Sequence, residues 1–188
     1  MFTEYLSILD SYSPLSSSSK EALLEHITLK KFAKGDIILS HGEICRHIYF
    51  VHKGFIRIFY FKNGKEITEW FADEKQFFFS IISYFEAKPS NLIIEAIEDC
   101  EIIMLSKEGQ DKLRKCNLEV SNLIIYFYSL SLMLSQKRME SLQFETAAQR
   151  YQNLLLDQPK ILQKVALQYI ASFLGITQET LSRIRANK

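Results

Sequence analysis

Charge of one sign is what this chain lacks most plainly: 23 lysines and arginines stand against 22 aspartates and glutamates, for a formal net charge of +1. Whole-chain charge therefore points to no particular partner. Cysteine is scarce as well. Cys45, Cys100 and Cys116 are odd in number and far apart, which excludes a closed disulfide framework and fits reduced core thiols in a cytoplasm. No apolar run approaches the roughly 18–20 residues of a membrane span. The N-terminal "MFTEYLSILD" carries acids early and has no basic region, so it does not read as a signal peptide. No nucleophile–base pair, phosphate loop or paired-carboxylate constellation is specific enough to name a reaction, so the chain reads as a non-enzyme. His41, His47 and His52 lack the His-x-His pair of a cupin-type metal barrel. His47 and His52 are separated by an odd number and point to opposite faces of a strand, so no metal is expected.

What is present is 47% hydrophobic residues, with fourteen Phe and nine Tyr, enough for one core of fair size or two small ones. "SPLSSSSKEALLEHITLKKF" opens on turn residues and becomes helical. Ser18 and Glu21 have capping-box spacing, and Ala22, Leu23, His26 and Ile27 offer one buried side. From Phe32 to about Leu105 the chain becomes a series of short β-branched and aromatic runs: "DIILSHG", "HIYFVHKG", "FIRIFYFKNGKEITEWF", "QFFFSIISYF", "NLIIEAIED" and "EIIMLS". Asn63-Gly64 between two of them is a strong hairpin signal, and the spacing predicts a compact antiparallel sandwich or barrel. Phe55, Arg57, Phe59 and Phe61 share one face of their strand, with Ile56, Ile58 and Tyr60 on the other. A strand apolar on both faces is covered on both.

After Ser106 the helical period returns, and nearly forty residues from Glu119 hold no Gly or Pro. The first half of this segment is apolar almost all round, so one side is expected on the β domain and the opposite side on a second copy of the chain. Leu123, Phe127, Leu130 and Leu134 are the expected dimer-helix contacts. A helix buried wholly within its own domain is the alternative. Asp157-Gln158-Pro159 ends the helical region. The expected division is 1–110, 111–146 and 147–188.

The tail restores the missing charge. Lys160, Lys164, Arg183, Arg185 and Lys188 face the single acid Glu179 from residue 160 onward, leaving the remainder near −3. Lys164–Phe173 reads as a helix through the stripe Leu167, Ile170, Ala171 and Leu174. Gly175 supplies the turn, Thr177 the N-cap, and Leu181 and Ile184 seat a second helix. Two short helices joined this way are a helix-turn-helix. The second helix would then present Thr177, Gln178, Glu179, Thr180, Ser182, Arg183, Arg185 and Lys188, the side-chain types that read base edges and phosphates in a major groove.

On these residues, "FAKGDIILSHGE…IYFVHKG" and "IASFLGITQETLSRIR", the chain resembles the CRP/FNR family of bacterial transcription factors (cyclic-AMP receptor protein / fumarate-nitrate regulator). The resemblance implies an α+β chain: an N-terminal antiparallel β-roll of the cyclic-nucleotide-binding type, a long dimerisation helix and a C-terminal helix-turn-helix. It implies a homodimer on a palindromic double-stranded DNA operator, with Gln178, Glu179 and Arg183 at base-reading positions and RNA polymerase as a further partner. It also implies that an effector in the roll repositions the dimer helices and hence the two readers. A ligand- or protein-binding roll with a weak DNA-binding tail is the alternative.

The departures narrow the effector. Nucleotide-binding members hold ribose and cyclic phosphate with Gly-Glu and Arg-Ser/Thr pairs; here Phe79-Ser80 and Ser90-Asn91 stand in those places. Without that arginine a cyclic phosphate has no bidentate partner, so cyclic AMP is not the expected effector. The effector pocket is expected at Arg57, Phe79, Ser80, Ser90, Asn91 and Tyr126, filled by something more apolar or by its own side chains. An iron–sulfur cluster is not expected, since three cysteines cannot supply four thiolates. The β wing that often follows the reader is absent before Lys188, so affinity is expected to rest on the reader helix and the dimer.

Overall fold

The computed structural model describes residues 2–186. Two helices, α1 (Phe2–Tyr12) and α2 (Ser17–Leu24), lead into eight strands. These are β1 (Ile27–Phe32), β2 (Ile37–Leu39), β3 (His47–Lys53), β4 (Ile56–Lys62), β5 (Lys65–Ala72), β6 (Phe77–Phe78), β7 (Ile93–Ala96) and β8 (Cys100–Ser106), with α3 (Ile81–Glu86) between β6 and β7. They form two antiparallel sheets, ordered β1-β8-β3-β6 and β2-β7-β4-β5. Residues of both sheets meet in one core, among them Val51 and Ile102 from the first and Ile56, Ile58 and Ile94 from the second. The class is α+β, as the sequence predicts.

The Asn63-Gly64 hairpin joins β4 to β5 with Lys62 opposite Lys65. Both turn residues have positive φ (52° and 74°), the geometry whose twist matches the flanking strands. Three local expectations are corrected. Ile27 does not close the buried side of a helix; it begins β1, which pairs with β8 from Ile27↔Leu105 to Phe32↔Cys100. The helix before it is capped by Ser16, whose hydroxyl accepts the Ser19 amide, rather than by Ser18 with Glu21. "QFFFSIISYF" is a strand only at Phe77–Phe78, and from Ile81 it is helical, with Ser80 at the N-cap position.

Beyond the roll, α4 (Lys107–Cys116) leads to α5 (Leu118–Phe144), and α6 (Ala147–Asp157) follows. The break at residue 145 is stabilised by a capping box between Thr146 and Gln149. By length and composition α5 could cross a membrane, contrary to the expectation from apolar runs. Its buried stripe is Val120, Leu123, Ile124 and Phe127, spaced i, i+3, i+4, i+7. These pack with α1 and the first sheet; Phe127 lies 4.4 Å from Phe77 between ring centroids. Leu123 and Phe127 are therefore contacts of the chain with itself, and their assignment to a dimer seam is corrected. Leu130 is half-buried and Leu134 exposed. On the opposite face Leu118, Ile125 and Leu132 recur every seven residues, all exposed.

The last helices are α7 (Ile161–Lys164), α8 (Leu167–Phe173) and α9 (Gln178–Ala186). The single helix expected over Lys164–Phe173 is broken, because Val165 and Ala166 are extended at the end of α7 and the start of α8.

Candidate nucleic-acid interface and effector cavity

Ala171, Leu174 and Leu181 are buried together at the crossing of α8 and α9, with Ile184 half-buried beside them. Gly175 turns the chain at φ 69°, and the Ile176 amide donates to the Ala171 carbonyl at 3.0 Å, closing the end of α8. Thr177 Oγ1 accepts the Thr180 amide at 3.2 Å and caps α9. With Leu181 inward, Gln178, Glu179, Ser182, Arg183 and Arg185 are all exposed, as is Thr177, while Thr180 is half-buried. The Glu179 carboxyl is held below the usual carboxylate range, first by the Thr177 hydroxyl, and so stays ionised as a hydrogen-bond acceptor near neutral pH. Lys188 lies outside the described residues.

This unit does not hang free of the roll. Phe55 and Phe71 share a core with Tyr151, Ile161, Val165, Ile170 and Leu174, so the outer face of the second sheet is the floor on which α8 sits. Arg57, fully buried, is the polar centre of that contact. Its guanidinium reaches Glu66 at 2.6 Å, Glu95 at 3.4 Å and Thr68 Oγ1 at 3.0 Å, and stacks 3.6 Å from the Tyr169 ring of α8. Ser172 Oγ bridges the same edge: it accepts the Thr68 amide at 2.9 Å and donates to the Glu66 carbonyl at 3.1 Å. Lys164 pairs with Asp73 and Glu98 of the roll, each at 3.0 Å.

A cavity of about 440 Å³ lies between the roll and α5, within the roughly 300–1,000 Å³ range of small-molecule sites. Its walls are mainly apolar: Ile58 and Trp70 from β4 and β5, Phe78 and Phe79 beside α3, and Leu134, Met139 and Leu142 from α5. Arg138 and Glu69 are its charged members. Burial pushes the Glu69 carboxyl up. Burial, and then the nearby Arg150, hold the Arg138 guanidinium down to about 10. Arg138 Nη2 donates to the Phe173 carbonyl, and its guanidinium lies 3.9 Å from the Phe173 ring centroid.

Of the six residues expected at an effector pocket, the structure brings only Phe79 to this cavity. Arg57 is corrected to the outer face of the sheet, because Ile56 and Ile58 take the inward positions of the strand and alternation turns Arg57 away. Ser80 and Ser90 are buried and bond to each other at 2.9 Å, and Ser90 also bonds Leu92; neither hydroxyl faces the cavity as a lining group. Asn91 is exposed, and Tyr126 stacks on Tyr12, 5.2 Å between centroids. Sequence reasoning missed Arg138 and Trp70. Arg138 was readable as the end of the inward stripe Phe127, Ser131, Leu134, Arg138, an arginine where an apolar residue is due.

The family model described as "Cyclic nucleotide-binding domain" matches residues 29–115. The chain is 27% identical over 137 residues to the HTH-type transcriptional regulator ArcR of Staphylococcus aureus, covering 72% of this chain and 53% of ArcR. It thus spans about half the length of that relative. In fold it is similar to FixK2 from Bradyrhizobium japonicum (TM-score 0.72, 20% identity, 86% of this chain and 83% of that one). It is also similar to the catabolite activator protein of Thermus thermophilus (TM-score 0.59, 21% identity, 96% and 85%).

Proposed function

We propose that the chain is a divergent member of the CRP/FNR family, a cytoplasmic, sequence-specific DNA-binding regulator of transcription that acts as a homodimer and binds rather than catalyses. The observation that carries this reading is the exposed face of α9, where Gln178, Glu179, Ser182, Arg183 and Arg185 stand clear of the core that Leu181 anchors. Arg pairs with guanine, Gln with adenine, and Glu accepts from cytosine, so this face holds a full reading set for a major groove. Backbone amides at the start of α9 can add phosphate contacts.

The exposed seam Leu118, Ile125 and Leu132 supports the homodimer. A seven-residue repeat on one helix face is what a partner helix covers in a coiled coil. Two-fold symmetry then sets two copies of α9 about one DNA turn, ~34 Å, apart on a palindromic operator. The three-part division into roll, dimer helix and reader follows the same logic, with RNA polymerase as the further partner of a regulator bound at a promoter. The roll is read as a sensor of something other than cyclic AMP. The Ser80–Ser90 pair supports this: the two hydroxyls share one bond and Ser90 donates to the Leu92 carbonyl, where a nucleotide site would present donors to phosphate.

The test is selection of bound DNA from a random pool, followed by titration on the selected palindrome. Affinity is expected to fall steeply as salt rises, because phosphate contacts release counterions. Arg183→Ala is expected to cost about 1–3 kcal/mol at one base step and to relax the preference there. Equal weakening on every sequence would remove Arg183 from the base-reading set.

A further inference from the structure

The cavity beside α5 holds one group that its own fold leaves incompletely matched. Arg138 is half-buried among apolar walls, and among the described residues it forms no ion pair with a carboxylate. Its hydrogen-bond and ring partners are the carbonyl and ring of Phe173, and Glu69 acts on it only electrostatically, beyond ion-pair distance. A guanidinium carries five N–H donors, so donors remain after the bond to that carbonyl. A cation taken from water is costly unless an anion meets it. Here Ile58, Trp70, Phe79 and Leu134 supply apolar surface next to it. Glu69 is the one acid among the lining residues; burial pushes its carboxyl up, Arg138 draws it down, and it makes no ion pair with the guanidinium.

We propose that this cavity binds an amphipathic monocarboxylate, its apolar body against Trp70, Phe79 and Leu134 and its carboxylate on the guanidinium of Arg138. The inference rests on the reading of the roll as a sensor and gives that sensor a ligand class. It also joins the two functions through one side chain. The guanidinium that receives the carboxylate also bonds the last carbonyl of α8, next to the turn of the DNA-reading unit.

Trp70 is the only tryptophan in the chain and lines the cavity, so its fluorescence reports occupancy. The probes are dodecanoate, below its micellar concentration, and dodecanol, which has the same body without the charge. Dodecanoate is expected to give a saturable change in Trp70 emission at a concentration about tenfold or more below that for dodecanol, the ratio one charge-assisted hydrogen bond provides. In Arg138→Met the two probes are expected to become equal. Cyclic AMP is expected to give no competing response. Equal binding of both probes to the unaltered protein would overturn the proposal, and so would no binding of either. Discrimination that survives in Arg138→Met, or displacement of dodecanoate by equimolar cyclic AMP, would overturn it too. The comparison of the two probes on the unaltered protein stands if the variant does not fold. DNA binding by the free protein is titrated separately, so failure of the regulator reading and failure of this ligand assignment give different results.

Discussion

Arg57→Ala is expected to destabilise the chain by about 3–5 kcal/mol, the usual consequence of removing one partner from a buried ion pair. The reasoning starts from burial: the Arg57 side chain has no exposed surface, while Glu66 and Glu95 are 38% and 22% exposed. Alanine would leave two carboxylates close together with no cation between them. It would also open a gap under the Tyr169 ring, which now stacks on the guanidinium at 3.6 Å. Partial access of water to the two glutamates screens some of the repulsion, which places the effect toward the lower end of the range. Against a typical domain stability of about 5–15 kcal/mol this is still a large fraction. Denaturant unfolding measures it, and an unchanged midpoint would contradict the assignment. Arg57→Lys is expected to rescue little, because a point charge cannot span two carboxylates and stack on an aromatic face at once. Hydrogen exchange in α8 should rise in Arg57→Ala more than in α1. The lost contact is the one that fixes α8 to the roll through Tyr169, whereas α1 packs elsewhere, with Phe50 and Phe127.

The second large effect is expected at the outer seam of α5. Ile125→Glu with Leu132→Glu should convert the proposed dimer to monomers while leaving the fold intact. Ile125 is 61% and Leu132 71% exposed in the single chain, so neither contributes to its core. In a symmetric pair the same substitutions bury four like charges, which a coiled-coil seam does not accommodate. Affinity for a palindromic operator should then fall by roughly 10²–10⁴-fold, because the second reader no longer benefits from the first. Sedimentation velocity and operator titration check the two halves of the prediction together. An unchanged oligomeric state would exclude this face as the seam. Leu123→Ala is the contrasting case: Leu123 is packed against its own roll, so its loss should lower stability with little effect on association.

Several parts of this protein were legible as sequence because neighbouring residues encode them. The hairpin needs positive φ at two adjacent positions, and Asn63-Gly64 states that locally. The helix-turn-helix needs Ala171 at a crossing, Gly175 at a turn, and Leu181 and Ile184 on one face, all within fourteen residues of chain. Even the two-sided covering of β4 was readable, since Phe55, Ile56 and Ile58 alternate across it.

What covers each side was not readable. "SIISYF" carries the same apolar letters whether extended or coiled, and packing rather than propensity makes it α3. The apolar girdle of α5 hides which stripe meets the roll until Phe127 meets Phe77, fifty residues earlier in the chain. The same holds for the site. Arg57 in sequence is one cation on an aromatic strand, and Arg138 is one among the charges of a helix. Tertiary structure alone sets the first between Glu66, Glu95 and Tyr169 and the second between an apolar cavity and the carbonyl of Phe173. Sequence determines period, turn and cap because these depend on residues a few positions apart. It leaves open the partners of a charge, because those are chosen by contacts such as Thr68 with Ser172, 104 residues apart, that exist only once the whole chain has closed.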